Sequence, residues 1–384
     1  MTRPEPSRTP SLGPRLAYLD NIKTLVIVGV IIVHSSLTYT TNLSTWPFQT
    51  DAIRAPLEIL LATIVGMGSF FGLGLLFLIA GYLTPASLRK KGFRQFLVER
   101  ALRLGIPLVA FIFIVWPLVT YLGGRADGSI RVSFGRFFMP DLANLDPGPL
   151  WFVALLIVLS VVYALLRQLR TQCGGSPLVL RAHHILPLML GITVATFLIR
   201  LEWQLGSSQI FGIELWSWPQ YLCLFTLGCI GGERGWTHAL DRDVRTLCGV
   251  AVLAALLALA VMAAASNLQG DSYLGGWDWG SLAISAVEGV LCVGMCLLVL
   301  DVFRVHGNWT ATMWRSTGPH SYRAYVIHGP LLVILAVAMR DVAISGYVKF
   351  LLLCTMGISL SFWMATWSTR RERVLQGSRA ALAE

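Results

Sequence analysis

The amino-acid sequence predicts an all-α fold, a polytopic membrane helix bundle of about ten transmembrane helices, and three observations carry that prediction. The first is composition. Of 384 residues, 55% are hydrophobic and only 13% are charged, whereas a soluble domain carries about 25% charged residues. With a mean hydropathy of +0.67, the chain has too little polar surface to cover a globule in water. The second is the recurrence of apolar stretches near the length of about 20 residues that a bilayer requires. The third is the placement of Lys and Arg in every second connection between those stretches, as the positive-inside rule demands.

The stretches run near residues 18–40, 57–83, 99–121, 148–167, 185–203, 217–232, 244–265, 279–302, 321–339 and 345–368. The sixth is the shortest. With the N-terminus placed in the cytoplasm, 23 of the 30 Lys and Arg residues fall on the cytoplasmic side. An odd number of crossings would break this alternation, so ten spans with both termini inside is the expected topology. Residues 1–14 form a polar, Pro-rich tail without the apolar core of a signal peptide, so the first span is expected to be retained. Residues 370–384 read as a second cytoplasmic tail. The longest outside loop, 122–147, has the length of a lid or binding surface.

The first span places Asp20 and Lys23 at its cytoplasmic end and His34 eleven residues beyond Lys23, roughly 16 Å deeper by helix rise. An ionisable group at that depth is costly unless it meets a cavity or a partner, and a histidine there suits proton transfer near neutral pH. A neutral histidine bonded between helices accounts for it equally well. Gly66, Gly68, Gly72, Gly74 and Gly81 line the second span, where small residues permit close helix approach.

The third span opens with Arg100 and Arg103, three residues apart and expected on one helix face. Their guanidinium forks suit phosphates. With Arg89, Lys90, Lys91 and Arg94 they form the densest positive region of the chain, although any cytoplasmic loop attracts such residues. Trp151 and Phe152 at the start of the fourth span suit an interface or an acceptor platform. In the ninth span His328 lies about two turns from the cytoplasmic end, with Pro330 loosening the backbone beside it. Glu58 and Glu288 add acids in apolar surroundings.

Other chemistry is excluded or unsupported. The net charge of +10 is scattered as topology signals rather than gathered on a nucleic-acid-binding face. The seven cysteines form no CxxC pair and no HExxH string occurs, so no metal site is expected.

The chain resembles the bacterial acyltransferase-3 family of membrane proteins. The resemblance rests on Tyr18-Leu19-Asp20 with Lys23 and His34, on the segment Phe77–Leu83 including Tyr82, and on Arg100 with Arg103. The Gly-Pro-Leu-Trp-Phe string at Gly148–Phe152 and the Ser-Tyr-x-x-Tyr-x-x-His string at Ser321–His328 complete it. The Gly148–Phe152 string is most similar to members called glucan biosynthesis protein C, a branch associated with succinylating periplasmic glucans. Three positions depart from the pattern: Lys23 replaces an arginine, Ala80 a serine, and Pro149 a histidine of many relatives.

The resemblance implies a membrane domain over 15–369 in the bacterial inner membrane. Its activity would be transfer of an acetyl, succinyl or similar group from cytoplasmic acyl-CoA to a hydroxyl of a cell-envelope or exported carbohydrate. Acyl-CoA would be a co-substrate, with no permanently bound cofactor; the partners would be acyl-CoA, the carbohydrate and the bilayer, not nucleic acid. Arg100 and Arg103 would hold donor phosphates. His34 would act as general base or transient acyl carrier, and Asp20 and Lys23 would orient that end of the helix. His328, Trp151, Tyr82 and Glu288 would support the site or touch the acceptor. The alternatives are a secondary transporter or flippase for an envelope precursor, and a scaffold with inert buried charges.

Overall fold

The computed structural model describes residues 17–40, 46–50, 53, 57–138, 146–169, 179–207, 214–235, 240–266, 271–307 and 317–381. Its helices are α1 (Ala17–Leu37), α2 (Leu57–Met67), α3 (Leu73–Lys91), α4 (Phe93–Arg100), α5 (Ile106–Ala110), α6 (Trp116–Asp127) and α7 (Phe134–Phe137). They continue with α8 (Trp151–Leu169), α9 (Ala182–Arg200), α10 (Trp218–Arg234), α11 (Arg242–Ser266), α12 (Trp279–His306), α13 (Ser321–Met339) and α14 (Gly346–Ala381). No strand occurs among the described residues. The fold is the expected all-α polytopic bundle.

Local chemistry sets several boundaries. Gly235, at φ 71°, ends α10 with its N–H bonded to the Gly231 carbonyl, a left-handed stop that favours glycine. The third span is less regular than its apolar pattern suggests. Five-residue π turns at Ala101–Gly105 and Phe111–Val115 precede Pro107 and Pro117. A proline ring collides with the carbonyl four residues back and offers no N–H. A wider turn relieves that collision without breaking the helix.

Nine helical segments among the described residues are long and apolar enough to cross a membrane. The helix expected at 217–232 is α10, only 17 residues long, and the directions of its neighbours decide whether it crosses. Arg200 of α9 meets Ser285 and Glu288 of α12, while Met189 of α9 reaches Gly294, so α9 and α12 are antiparallel. Thr24 and His34 of α1 meet Ser321 and His328 of α13, so those two are parallel. With α10 counted as a crossing, α9 and α12 are the fifth and eighth spans and α1 and α13 the first and ninth. Without it, both parities fail.

The packing of α10 agrees. Gln220 bonds the Ser69 carbonyl, Leu224 packs at Gly74, and Gly228 and Gly232 lie on the backbone of Leu78 and Tyr82. The helix therefore runs parallel to α3, over the same depth. Among the described residues, the helix directions give ten crossings. Since Arg323 and His320 bond Ser368 and Thr369 of α14, and Gly318 packs on Asp20, the start of α1 and the far part of α14 share one end of the bundle. Helix α14 continues to Ala381 through the stretch read as a tail, whereas residues 1–14 and part of the 122–147 loop lie outside the described residues.

Helix α12 is the central member, with 61% of its apolar window buried, and α11 the most peripheral at 17%. The main core joins α1, α3, α8 and α13, including Ile31, Phe77, Leu150, Val153 and Leu332. A second cluster packs α9, α11 and α12 on the other side of α1 and α3.

Candidate functional site

Parallel packing of α1 against α13 brings together two histidines that are 294 residues apart, with His328 Nε2 at 3.2 Å from His34 Nδ1. Their ring centroids are 4.9 Å apart. Each ring is also tied to its own helix. His34 Nδ1 lies 2.9 Å from the Val30 carbonyl, and His328 Nδ1 contacts the Tyr325 carbonyl. A carbonyl oxygen only accepts, so each Nδ1 carries hydrogen. Nε2 of both neutral rings is then a lone pair, and these tautomers follow from the bonding pattern. The lone pair of His328 faces the Nδ1–H of His34. Among the described residues, Nε2 of His34 has no hydrogen-bond partner. That nitrogen carries an unengaged lone pair.

An aromatic wall encloses the pair. The Trp46 ring lies 5.0 Å from His34 and 5.8 Å from Trp116, which stacks on Phe111 at 5.5 Å. Trp116 Nε1 donates to Asp146 Oδ2 at 3.1 Å, and Gly148 N–H donates to Asp146 Oδ1 at 2.7 Å. Asp146 thereby fixes both the indole and the turn that leads into α8. The indole N–H of Trp46 is buried without a partner among the described residues. The Tyr325 hydroxyl donates to the Pro149 carbonyl, and the absence of a side chain at Gly329 admits the Pro149 ring. The Pro149 backbone thereby holds the turn before α8 against α13.

The other expected residues are distributed around this centre. Lys23 pairs with Asp20 at 3.1 Å, and Thr24 bonds Ser321 at 3.2 Å. This knot fixes the entry of α1 against α13, roughly 15 to 20 Å below His34 by helix rise. Tyr82 lines a separate cleft of about 490 Å³ with Tyr18, Asp301 and Arg304. Trp151 touches Tyr221, which packs on Phe77. Glu58 lies in the first turn of α2.

The two arginines of the third span differ in exposure and in bonding partner. Arg100 ends α4, donates to Thr84 Oγ1 at 3.4 Å and lies over the Phe96 ring at 5.2 Å. Arg103 falls inside the first π turn, pairs with Glu99 at 2.8 Å and is 75% exposed.

Glu288 belongs to a second polar centre. It forms a fully buried ion pair with Arg200, whose guanidinium also reaches Ser285 Oγ at 3.4 Å and lies 5.3 Å over the Trp216 ring. Phe77, Phe152 and Tyr221 stand in contact between the α13 side and the α10 side of the bundle. Sequence reasoning had placed Arg200 among the outside charges. Trp46, Trp116, Asp146 and Arg200 were not singled out, and only the Asp-Pro-Gly turn before α8 offered a local signal. Beyond the spans, burial and then the neighbouring Asp146 charge push the Glu214 carboxyl up to about 7.

A bundle of apolar helices that crosses the bilayer repeatedly around a contacting histidine pair is an integral multi-pass membrane protein. The chain belongs to the acyltransferase-3 family: residues 16–366 match the family model described as an acyltransferase domain. It is therefore a membrane acyltransferase of groups other than aminoacyl. No curated protein matches the chain, and no solved structure does.

Proposed function

We propose that the protein moves a short acyl group from cytoplasmic acyl-CoA to a hydroxyl of a cell-envelope or exported carbohydrate, in the bacterial inner membrane with both termini cytoplasmic. The observation that carries this reading is the bonding of the histidine pair, which leaves the Nε2 lone pair of His34 unengaged. The acceptor hydroxyl gives its proton to that nitrogen as its oxygen bonds to the thioester carbonyl carbon. The carbon–sulfur bond then breaks, and the departing thiolate takes the proton back from the imidazolium. While His34 is charged, the facing lone pair of His328 accepts from its Nδ1–H and stabilises it.

The unpartnered Trp46 N–H supplies a donor to the oxygen that gains charge in the tetrahedral intermediate. Arg100 holds donor phosphate at the cytoplasmic end. Arg103 fixes α4 through Glu99, and the Asp20–Lys23 pair holds the entry of α1. The sign of the Lys and Arg distribution supports the orientation.

The test is CoA release from acyl-CoA in the presence of glycan acceptors. His34→Gln, of similar size, is expected to lower turnover by about 100-fold or more while CoA binding and the thermal midpoint stay near wild type. Unchanged turnover removes His34 from the chemistry. Transport of an unmodified solute, without CoA release, would favour a transporter.

A further inference from the structure

The cytoplasmic ends of α3, α4 and α8 enclose a cleft of about 500 Å³ that the site above does not use. Pro85, Leu88 and Phe93 form its apolar side, and Arg89, Tyr163 and Arg167 its polar side. Arg167 is held from behind: its Nε lies 3.4 Å from Glu233 Oε1, which also accepts from the Tyr163 hydroxyl at 2.6 Å. That arrangement leaves Nη1 of Arg167 buried and without a partner among the described residues. An unsatisfied guanidinium nitrogen is costly to leave unpaired. Arg89, the second cation, is exposed at the rim. Arg100 bonds Thr84, the residue next to Pro85.

Glu233 pairs with Arg167, and it is already shared with Tyr163. The cleft lining carries two guanidinium groups and no carboxylate, and guanidinium donors suit a phosphate group. We propose that the Arg89–Arg167 cleft is a phosphate-binding site. Resting on the acyl-CoA reading, it holds the 3′-phosphate of the donor, with an anionic lipid headgroup as the other source of the same chemistry. Glu233 and Tyr163 are positioning residues that present Arg167.

The experiment uses the full chain in nanodiscs of zwitterionic lipid. Binding of CoA and of dephospho-CoA, which lacks the 3′-phosphate, is measured for wild type, Arg89→Gln and Arg167→Gln. Each variant is expected to weaken CoA binding about ten-fold and to leave dephospho-CoA binding unchanged. Arg89→Gln alters only an exposed side chain, so it reads the site even if Arg167→Gln fails to fold.

A parallel arm measures phosphatidylglycerol retained on purification. Loss of that lipid in the variants, with CoA binding unaltered, assigns the site to a headgroup phosphate and still supports it. Variants equal to wild type in both arms overturn the site. Wild type that binds no CoA overturns the donor reading instead, while the lipid arm still reports on the cleft.

Discussion

At the residue scale, the chemistry turns on which nitrogen of each histidine carries hydrogen. Two backbone carbonyls decide it. His34 and His328 each spend Nδ1–H on their own helix, and the base that remains points away from that helix. In the proposed mechanism Trp46 adds the complementary group, a buried N–H beside the His34 ring. Trp46→Phe keeps the ring and removes the donor. It is expected to lower kcat by about 10- to 100-fold with little change in KM, as loss of a donor to the intermediate does. An equal change in KM alone would make Trp46 a binding wall.

Glu214 yields a prediction of another kind. Its carboxyl is raised to about 7 by burial and by Asp146, so the folded state resists its ionisation. The associated stability is fully present below the usual carboxylate range and is lost as pH rises through about 7. Glu214→Gln removes the charge and should stabilise the protein above pH 7, on the order of 2 kcal/mol. Near pH 4 the difference should vanish. Thermal midpoints of both proteins at the two pH values check it, and a pH-independent difference contradicts it.

At the element scale, α3 and α10 form the tightest backbone contact of the bundle. A Cβ at Gly81 or Gly228 would meet carbonyl oxygens of Phe225 or Leu78, which are main-chain atoms unable to move aside. Gly228→Leu is therefore expected to separate the helices and cost several kcal/mol, as overpacking at a fixed contact does. The readout is the yield of folded protein in mild detergent, with Gly191→Leu as control, since open space surrounds that glycine. Equal yields would show that α10 is held elsewhere.

The spans were legible because length and hydropathy are local quantities that lipid reads directly. The π turns of the third span were not, since apolar side chains around Pro107 and Pro117 suit either register. The histidine pair was half legible: each ring stood out in an apolar run, but their meeting depends on packing between the first and ninth spans. Trp46 lies in a connection, where no periodicity marks it.

At the scale of the whole molecule, ten crossings follow from helix directions and independently from the alternation of basic connections. The consequence is measurable through α10. A cysteine at exposed Glu202 and one at exposed Asp241 should react with a membrane-impermeant maleimide from opposite faces. Labelling from one face would reduce the count to nine and place the termini on opposite sides.

The Arg200–Glu288 pair has a bearing on how the protein is made. A buried charge left without its partner costs several kcal/mol, and the partner here is 88 residues away in the chain. Helix α9 therefore emerges from the ribosome long before α12 can neutralise it. The pair therefore closes only once α12 has packed on α9, which ties completion of this half of the bundle to the last of its helices.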